Sequence, residues 1–138
     1  MNDYEKLKQI KCFVLDMDGT IYLGNRLFPE TRPFLEAVEN SGRNYCFFTN
    51  NSSKNFRSYI NKLSSMGISI EDAQMLISNG VMTGWLLKNR PGEKAYVVGT
   101  PDLEEAVAES GIRIDCENPD YVLLGFDTTL TYEKLWRA

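Results

Sequence analysis

Two carboxylates one residue apart, Asp16 and Asp18, directly follow a short apolar run, Cys12-Phe13-Val14-Leu15, and are followed in turn by Gly19 and Thr20. A carboxylate can act as a covalent nucleophile, and a second acid, held protonated, can give its proton to a leaving oxygen. Attack by an ionised Asp on a phosphate dianion needs a cation to offset the repulsion, and a hard, oxygen-liganded ion such as Mg²⁺ suits that task. The apolar run is too brief for a lone helix. Its Phe and Val favour a strand buried on both faces, as in a parallel sheet. Ligands of open α/β sheets collect at the carboxyl ends of strands. If the extended path continues through Asp16, alternation turns Asp16 and Asp18 to one side and Met17 away. Two plainer readings compete. Asp-Gly is ordinary turn punctuation, and a calcium loop is conceivable, although the regular oxygen ligands and closing Glu of an EF-hand are absent.

The elements around this pair follow a regular rhythm. Residues 21–28 read as a small hairpin or flap around Gly24-Asn25, closed by Pro29. A helix is expected over 32–41, with Phe34, Leu35 and Val38 inward and Gly42 as its stop. A second buried strand, Tyr45 to Phe48, leads into Thr49-Asn50-Asn51-Ser52-Ser53. A helix over 54–66 follows, with Phe56, Ile60 and Leu63 at helical spacing, and then a third strand over Met75 to Ser78. Beyond Asn79 the pattern repeats: helix 81–89, strand 95–98, a helix with Thr100 at N-cap and Pro101 at N1, strand 121–125, and a helix capped by Thr131. The alternation specifies an α/β chain with a doubly wound parallel sheet. Small residues at 78–80 mark the boundary between two α/β segments.

The second strand supplies what the first lacks. Thr49 to Ser53 places a hydroxyl and successive backbone N–H groups at a strand end and helix start, and a helix N-terminus attracts phosphate. Thr, Asn and Ser are also common helix caps, and Ser52 or Ser53 is read as only that. Thr49, at the strand end and so near Asp16, is the better candidate for touching phosphate, while Lys54 reads as a solvated surface lysine.

Composition narrows the classes. The 138 residues suit one domain, or one domain plus part of another. A net charge of −4 argues against nucleic acid as the main partner. No run reaches membrane-spanning length, and the polar, acidic N-terminus is unlike a signal peptide. Cys12, Cys46 and Cys116 lack metal-like spacing and look buried, which suggests reduced thiols in the cytoplasm. The absence of histidine removes His-dependent triads and His-ligated zinc, leaving carboxylates for acid–base or covalent work.

Asp16-Met17-Asp18-Gly19-Thr20 after an apolar strand, followed by Phe47-Phe48-Thr49-Asn50-Asn51-Ser52, resembles the first two motifs of the haloacid dehalogenase (HAD) phosphatase superfamily. The similarity is closest to its NagD-like, p-nitrophenyl phosphatase class, and Tyr96-Val97-Val98-Gly99-Thr100, residues 118–122 and residues 130–135 resemble that class too. The resemblance implies a Mg²⁺-dependent phosphomonoesterase of small phosphorylated metabolites. In it Asp16 is nucleophile, Asp18 acid/base, Asp16 and the Asp18 carbonyl are metal ligands, and Thr49 with the Asn50 backbone binds the phosphoryl group. It further implies that residues 1–79 are the N-terminal part of an HAD-like core and 80–138 the first part of an α/β cap. Membrane and nucleic acid are not expected partners, and a homo-oligomer is compatible with the sequence. The family completes its site with a lysine and an acidic pair beyond the cap. Nothing here matches them: Lys134 lies within the cap-like stretch and Asp127 lacks the Gly-Asp setting. The chain therefore reads as the N-terminal half of such a phosphatase, inactive alone. Two rivals remain. A phosphate-binding or regulatory module on the same fold would not need both acids. A phosphoaccepting receiver carries its acceptor on a later strand, whereas the third strand here ends Ile77-Ser78-Asn79.

Overall fold

A computed structural model describes residues 3–138. Their elements run α1 (Asp3–Lys8), β1 (Cys12–Leu15), β2 (Tyr22–Leu23), β3 (Arg26–Leu27), α2 (Thr31–Asn40), β4 (Asn44–Thr49) and α3 (Phe56–Ser65). A 3₁₀ turn at Asp72–Gln74 then precedes β5 (Met75–Ile77), α4 (Ser78–Asn89), β6 (Lys94–Val98), α5 (Pro101–Glu109), β7 (Arg113–Ile114), β8 (Tyr121–Leu124) and α6 (Tyr132–Arg137). This is the expected α/β alternation, with α1 and β7 as additions that no periodicity announced. They form two compact units, one comprising the chain through Thr49 with Lys62–Leu76, the other Asn50–Asn61 with Ile77–Ala138.

The first unit is built on the sheet β1-β4-β5. β1 and β4 run parallel, with Cys12 opposite Asn44 and Leu15 opposite Phe47. Strict alternation along β4 buries Tyr45, Phe47 and Thr49 on one face, the period-2 pattern of a pleated strand. Helix α2 turns Leu35 and Val38 inward, whereas Phe34 stays 39% exposed and meets Phe13 edge-to-face at 5.7 Å. The flap is an antiparallel pair, Tyr22 opposite Leu27 and Leu23 opposite Arg26, turning on Gly24 at φ 61°. Here the expectation from the apolar run fails, while the reading as the N-terminal half of a larger core, which leaves β1 without its outer neighbour, holds. β1 is not buried on both faces: it lies at the edge of its sheet, and Val14 is 64% exposed. Nothing among the described residues pairs with its outer side, and the sheet face that carries Cys12 and Val14 is exposed.

The second unit centres on β6, flanked by parallel β7 and β8. Its core is Ala95, Val97, Leu103, Val107, Ile112 and Leu123, with Met82, Leu86 and Tyr121 packed against it. The cap of α5 follows the sequence reading, with Thr100 accepting from the Leu103 N–H and Pro101 at the first turn. Leu103 packs so closely on Gly99 and Gly125 that a Cβ at either glycine would collide with it. No described helix is long and apolar enough to cross a membrane. The three cysteines are free, but only Cys46 is partly buried, and Cys12 and Cys116 are exposed. Cys12 lies on the same exposed face of β1 as Val14. Burial, and then the neighbouring Cys12, push the Cys46 thiol above its ordinary pKa.

Candidate active site

The residues after β1 form a tight loop around one carbonyl. Met17 C=O accepts from the N–H groups of Thr20, Ile21 and Tyr22 at 3.2, 2.9 and 3.3 Å, and Gly19 N–H donates to Tyr22 C=O at 2.8 Å. Gly19 sits at φ 84°, the left-handed region that a glycine occupies without strain. Met17 is fully buried while Asp16 and Asp18 are exposed, the alternation expected if extended backbone continues past the strand. The loop is thus anchored by its apolar residue and displays both acids.

Their surroundings are polar but loose. Thr20 Oγ1 donates toward Asp16 Oδ2 at 3.4 Å, and Tyr22 Oη toward Asp18 Oδ2 at 3.4 Å. Lys62 Nζ lies 3.6 Å from the other oxygen, Asp18 Oδ1, and 3.8 Å from the centroid of the Tyr22 ring. Each distance exceeds that of a tight charge-assisted hydrogen bond. Because β1 and β4 are parallel and in register up to Leu15 and Phe47, Asp16 and Thr49 end neighbouring strands at the same edge of one sheet. Thr49 is only 1% exposed.

Asn50 is exposed and belongs to the second unit. The segment after it differs from the sequence reading. The helix expected from about Lys54 begins two residues later, at Phe56, and its capping side chain is Asn55, whose Oδ1 accepts from Ser58 N–H at 3.0 Å, rather than Ser52 or Ser53. Residues 50–55 are instead held by polar contacts in the second unit: Ser78 Oγ to Asn50 C=O at 3.2 Å, Thr100 Oγ1 to Ser53 C=O at 2.8 Å, and Asn55 N–H to Asp102 at 3.3 Å. Ser52 is buried and accepts from Phe126 N–H at 2.9 Å, so it caps no helix. Ser53 N–H is taken by Asn51 Oδ1. Lys54 is exposed, as expected.

The carboxylates most firmly held lie elsewhere. Asp127 is desolvated, which works against ionisation, yet the Lys134 ammonium at 2.8 Å and the Thr129 donors hold its carboxyl below the usual range. Lys134 also donates to Gly99 C=O at 2.6 Å, so Lys134 and Asp127 serve each other and the α6 junction. Asp115 is pulled well below the ordinary carboxylate range by Lys94 at 2.6 Å and by the N–H groups of Asn118 and Glu117. Among the described residues no three metal-ligating side chains gather. Sequence reasoning missed Lys62. Its signal was only its place beside Leu63, at the border of an inward helical face.

A family model for haloacid dehalogenase-like hydrolases matches residues 13–113, which spans β1 to β7 and both motif-bearing strands. The chain belongs to that family. It is 32% identical over 130 residues to an acid sugar phosphatase of Staphylococcus aureus, covering 94% of this chain and 50% of that protein. It is 30% identical over 128 residues to the 5'-nucleotidase YutF of Bacillus subtilis, covering 93% of this chain and 50% of the relative. Among solved structures, a 4-nitrophenylphosphatase from Thermotoga maritima superposes with a TM-score of 0.90 at 41% identity, over 95% of this chain and 50% of that one. The chain spans about half the length of the curated relatives it matches.

Proposed function

We propose that the complete protein hydrolyses phosphate monoesters of small metabolites, of the sugar phosphate, nucleotide or p-nitrophenyl phosphate type, through an aspartyl-phosphate on Asp16. The observation that carries this is the pair of exposed carboxylates set by a buried methionine at the carboxyl end of β1, in a chain whose relatives are named an acid sugar phosphatase, a 4-nitrophenylphosphatase and a 5'-nucleotidase. An Asp16 oxygen attacks phosphorus, the ester O–P bond breaks, and Asp18 gives its proton to the departing oxygen. Water then attacks the acyl phosphate, its proton returns to Asp18, and inorganic phosphate leaves with the Asp16 carboxylate restored. The Thr49 hydroxyl and Asn50 backbone bind the transferring group.

A divalent ion suits the donor chemistry in part. The exposed Asp16 carboxylate and the Asp18 carbonyl are hard oxygen donors, and they make an incomplete set that other oxygens must fill. Mg²⁺ held there would supply charge neutralisation between Asp16 and the incoming phosphate. In this reading residues 1–79 are the N-terminal part of the catalytic core and 80–138 the first part of an α/β cap. Residues 1–138 alone turn over poorly, because no lysine and acidic pair matching the family's remaining motifs occur among them.

The test is phosphate release by the complete protein. Activity should vanish in excess chelator, return with Mg²⁺ and be inhibited by Ca²⁺, which takes more ligands at longer distances. Full activity in chelator would remove the metal from the mechanism. Robust Asp16-dependent turnover by a monomeric 1–138 chain would remove the claim that it needs more residues.

A further inference from the structure

We infer that Lys62 is a positioning residue for the Asp18 carboxylate, an assignment that rests on the phosphatase reading above. Lys62 lies in the last turn of α3, where a lysine commonly serves only to offset the helix dipole. Such a lysine would place its ammonium in water. The Lys62 side chain is instead only 18% exposed and carries its ammonium over the face of Tyr22, a cation–π arrangement that restricts where the charge can sit.

Tyr22 is a fixed platform. It is fully buried, its backbone closes the Met17 loop, and it pairs with Leu27 in the flap. From that platform two groups reach the two oxygens of one carboxylate, Lys62 toward Oδ1 at 3.6 Å and the Tyr22 hydroxyl toward Oδ2 at 3.4 Å. They come from different elements, α3 and the flap, so together they set the rotation of the Asp18 side chain. Neither distance is a tight bond, so the carboxylate is steered and remains able to turn toward a substrate oxygen. Lys62 touches no reacting atom. Its effect passes through the orientation of Asp18, and orientation matters most when the leaving oxygen needs a proton.

The experiment compares Lys62→Met, Lys62→Arg and Tyr22→Phe in the complete protein, on p-nitrophenyl phosphate and on an alkyl phosphate. Misplacing a reacting group by about 1 Å can cost roughly 10²-fold. Lys62→Met should therefore lower kcat on the alkyl ester by about 10- to 100-fold, affect p-nitrophenyl phosphate only a few-fold, and leave KM nearly unchanged. Lys62→Arg should recover most of the loss, and Tyr22→Phe should shift the ratio of the two rates in the same direction by less. If Lys62→Met does not fold, Lys62→Gln takes its place with the same expected ratio. Equal losses on both esters, or an unchanged rate on the alkyl ester, would overturn the assignment while leaving the phosphatase reading intact. No phosphate release by the unmodified protein from any monoester, or full activity in Asp16→Asn, would overturn that reading and this assignment with it.

Discussion

The carboxyl ends of β1 and β6 are built from similar parts and put to different use. Each strand runs out into a loop with a glycine and a threonine. At β6 those polar groups are consumed by the fold: Thr100 is 5% exposed, accepts from Leu103 N–H and donates to Ser53 C=O, and Gly99 C=O takes the Lys134 ammonium. At β1 the apolar Met17 does the anchoring, and two carboxylates stand exposed with side-chain partners among the described residues no nearer than 3.4 Å. A strand end that only has to turn the chain uses its polar atoms for caps. One that keeps ionisable groups in loose contact has them for something outside the fold. The strands differ in the same sense, with β6 central and buried along Ala95–Val98 and β1 at an edge.

The largest effect separating the two ends should come from Asp18. Asp18→Asn in the complete protein should slow hydrolysis of an alkyl phosphate by about 10²–10⁴-fold, the usual range for general acid–base help. The loss on p-nitrophenyl phosphate, whose leaving group needs little protonation, should be smaller. Equal losses in steady-state assays would take Asp18 out of the acid role. Thermal melts should move little, since an exposed substitution usually changes stability by no more than about 0.5 kcal/mol.

Packing variants should rank in the opposite order. Leu103 is fully buried, and Leu103→Ala should cost about 2–5 kcal/mol. Val14→Thr, at a position 64% exposed, should change stability by no more than about 0.5 kcal/mol in residues 1–138. Denaturant unfolding of both variants decides the matter, and a costly Val14→Thr would mean that the β1 face carrying Val14 is covered in solution.

The smallest effect concerns acid. Asp115 has a folded-state pKa depressed below its unfolded value, so it adds stability that is present above the unfolded pKa and is lost as pH falls through the folded one. Asp115→Asn should therefore destabilise modestly at neutral pH, and the gap to the unmodified protein should close as the medium becomes strongly acidic. A gap independent of pH would show that the side chain acts through shape alone.

How much of this was legible follows from how local each signal is. β1 was readable to the residue because its apolar run is bounded by Lys11 and Asp16. The α5 cap was readable because Thr100-Pro101 is a short-range device. The apolar run alone pointed to a strand buried on both faces, and only the reading as the N-terminal half of a larger core, with its further strands elsewhere, accounts for β1 at the edge of its sheet. The cap of α3 was misread, and its start set two residues early, because residues 50–55 prefer contacts to Asp102, Ser78 and Thr100, which are distant in sequence. Lys62 could not be paired with Asp18 from sequence for the same reason. A contact across 44 positions leaves no periodicity.

The central claim is that the β1 carboxylate at position 16 becomes covalently phosphorylated. Rapid acid quench of the complete protein during turnover of a labelled phosphate monoester, with mapping of the labelled peptide, tests it directly. The account predicts an acid-stable, base-labile label on the peptide containing Asp16, absent in Asp16→Asn together with steady-state activity. A label on another residue, or hydrolysis that persists in Asp16→Asn, would contradict it.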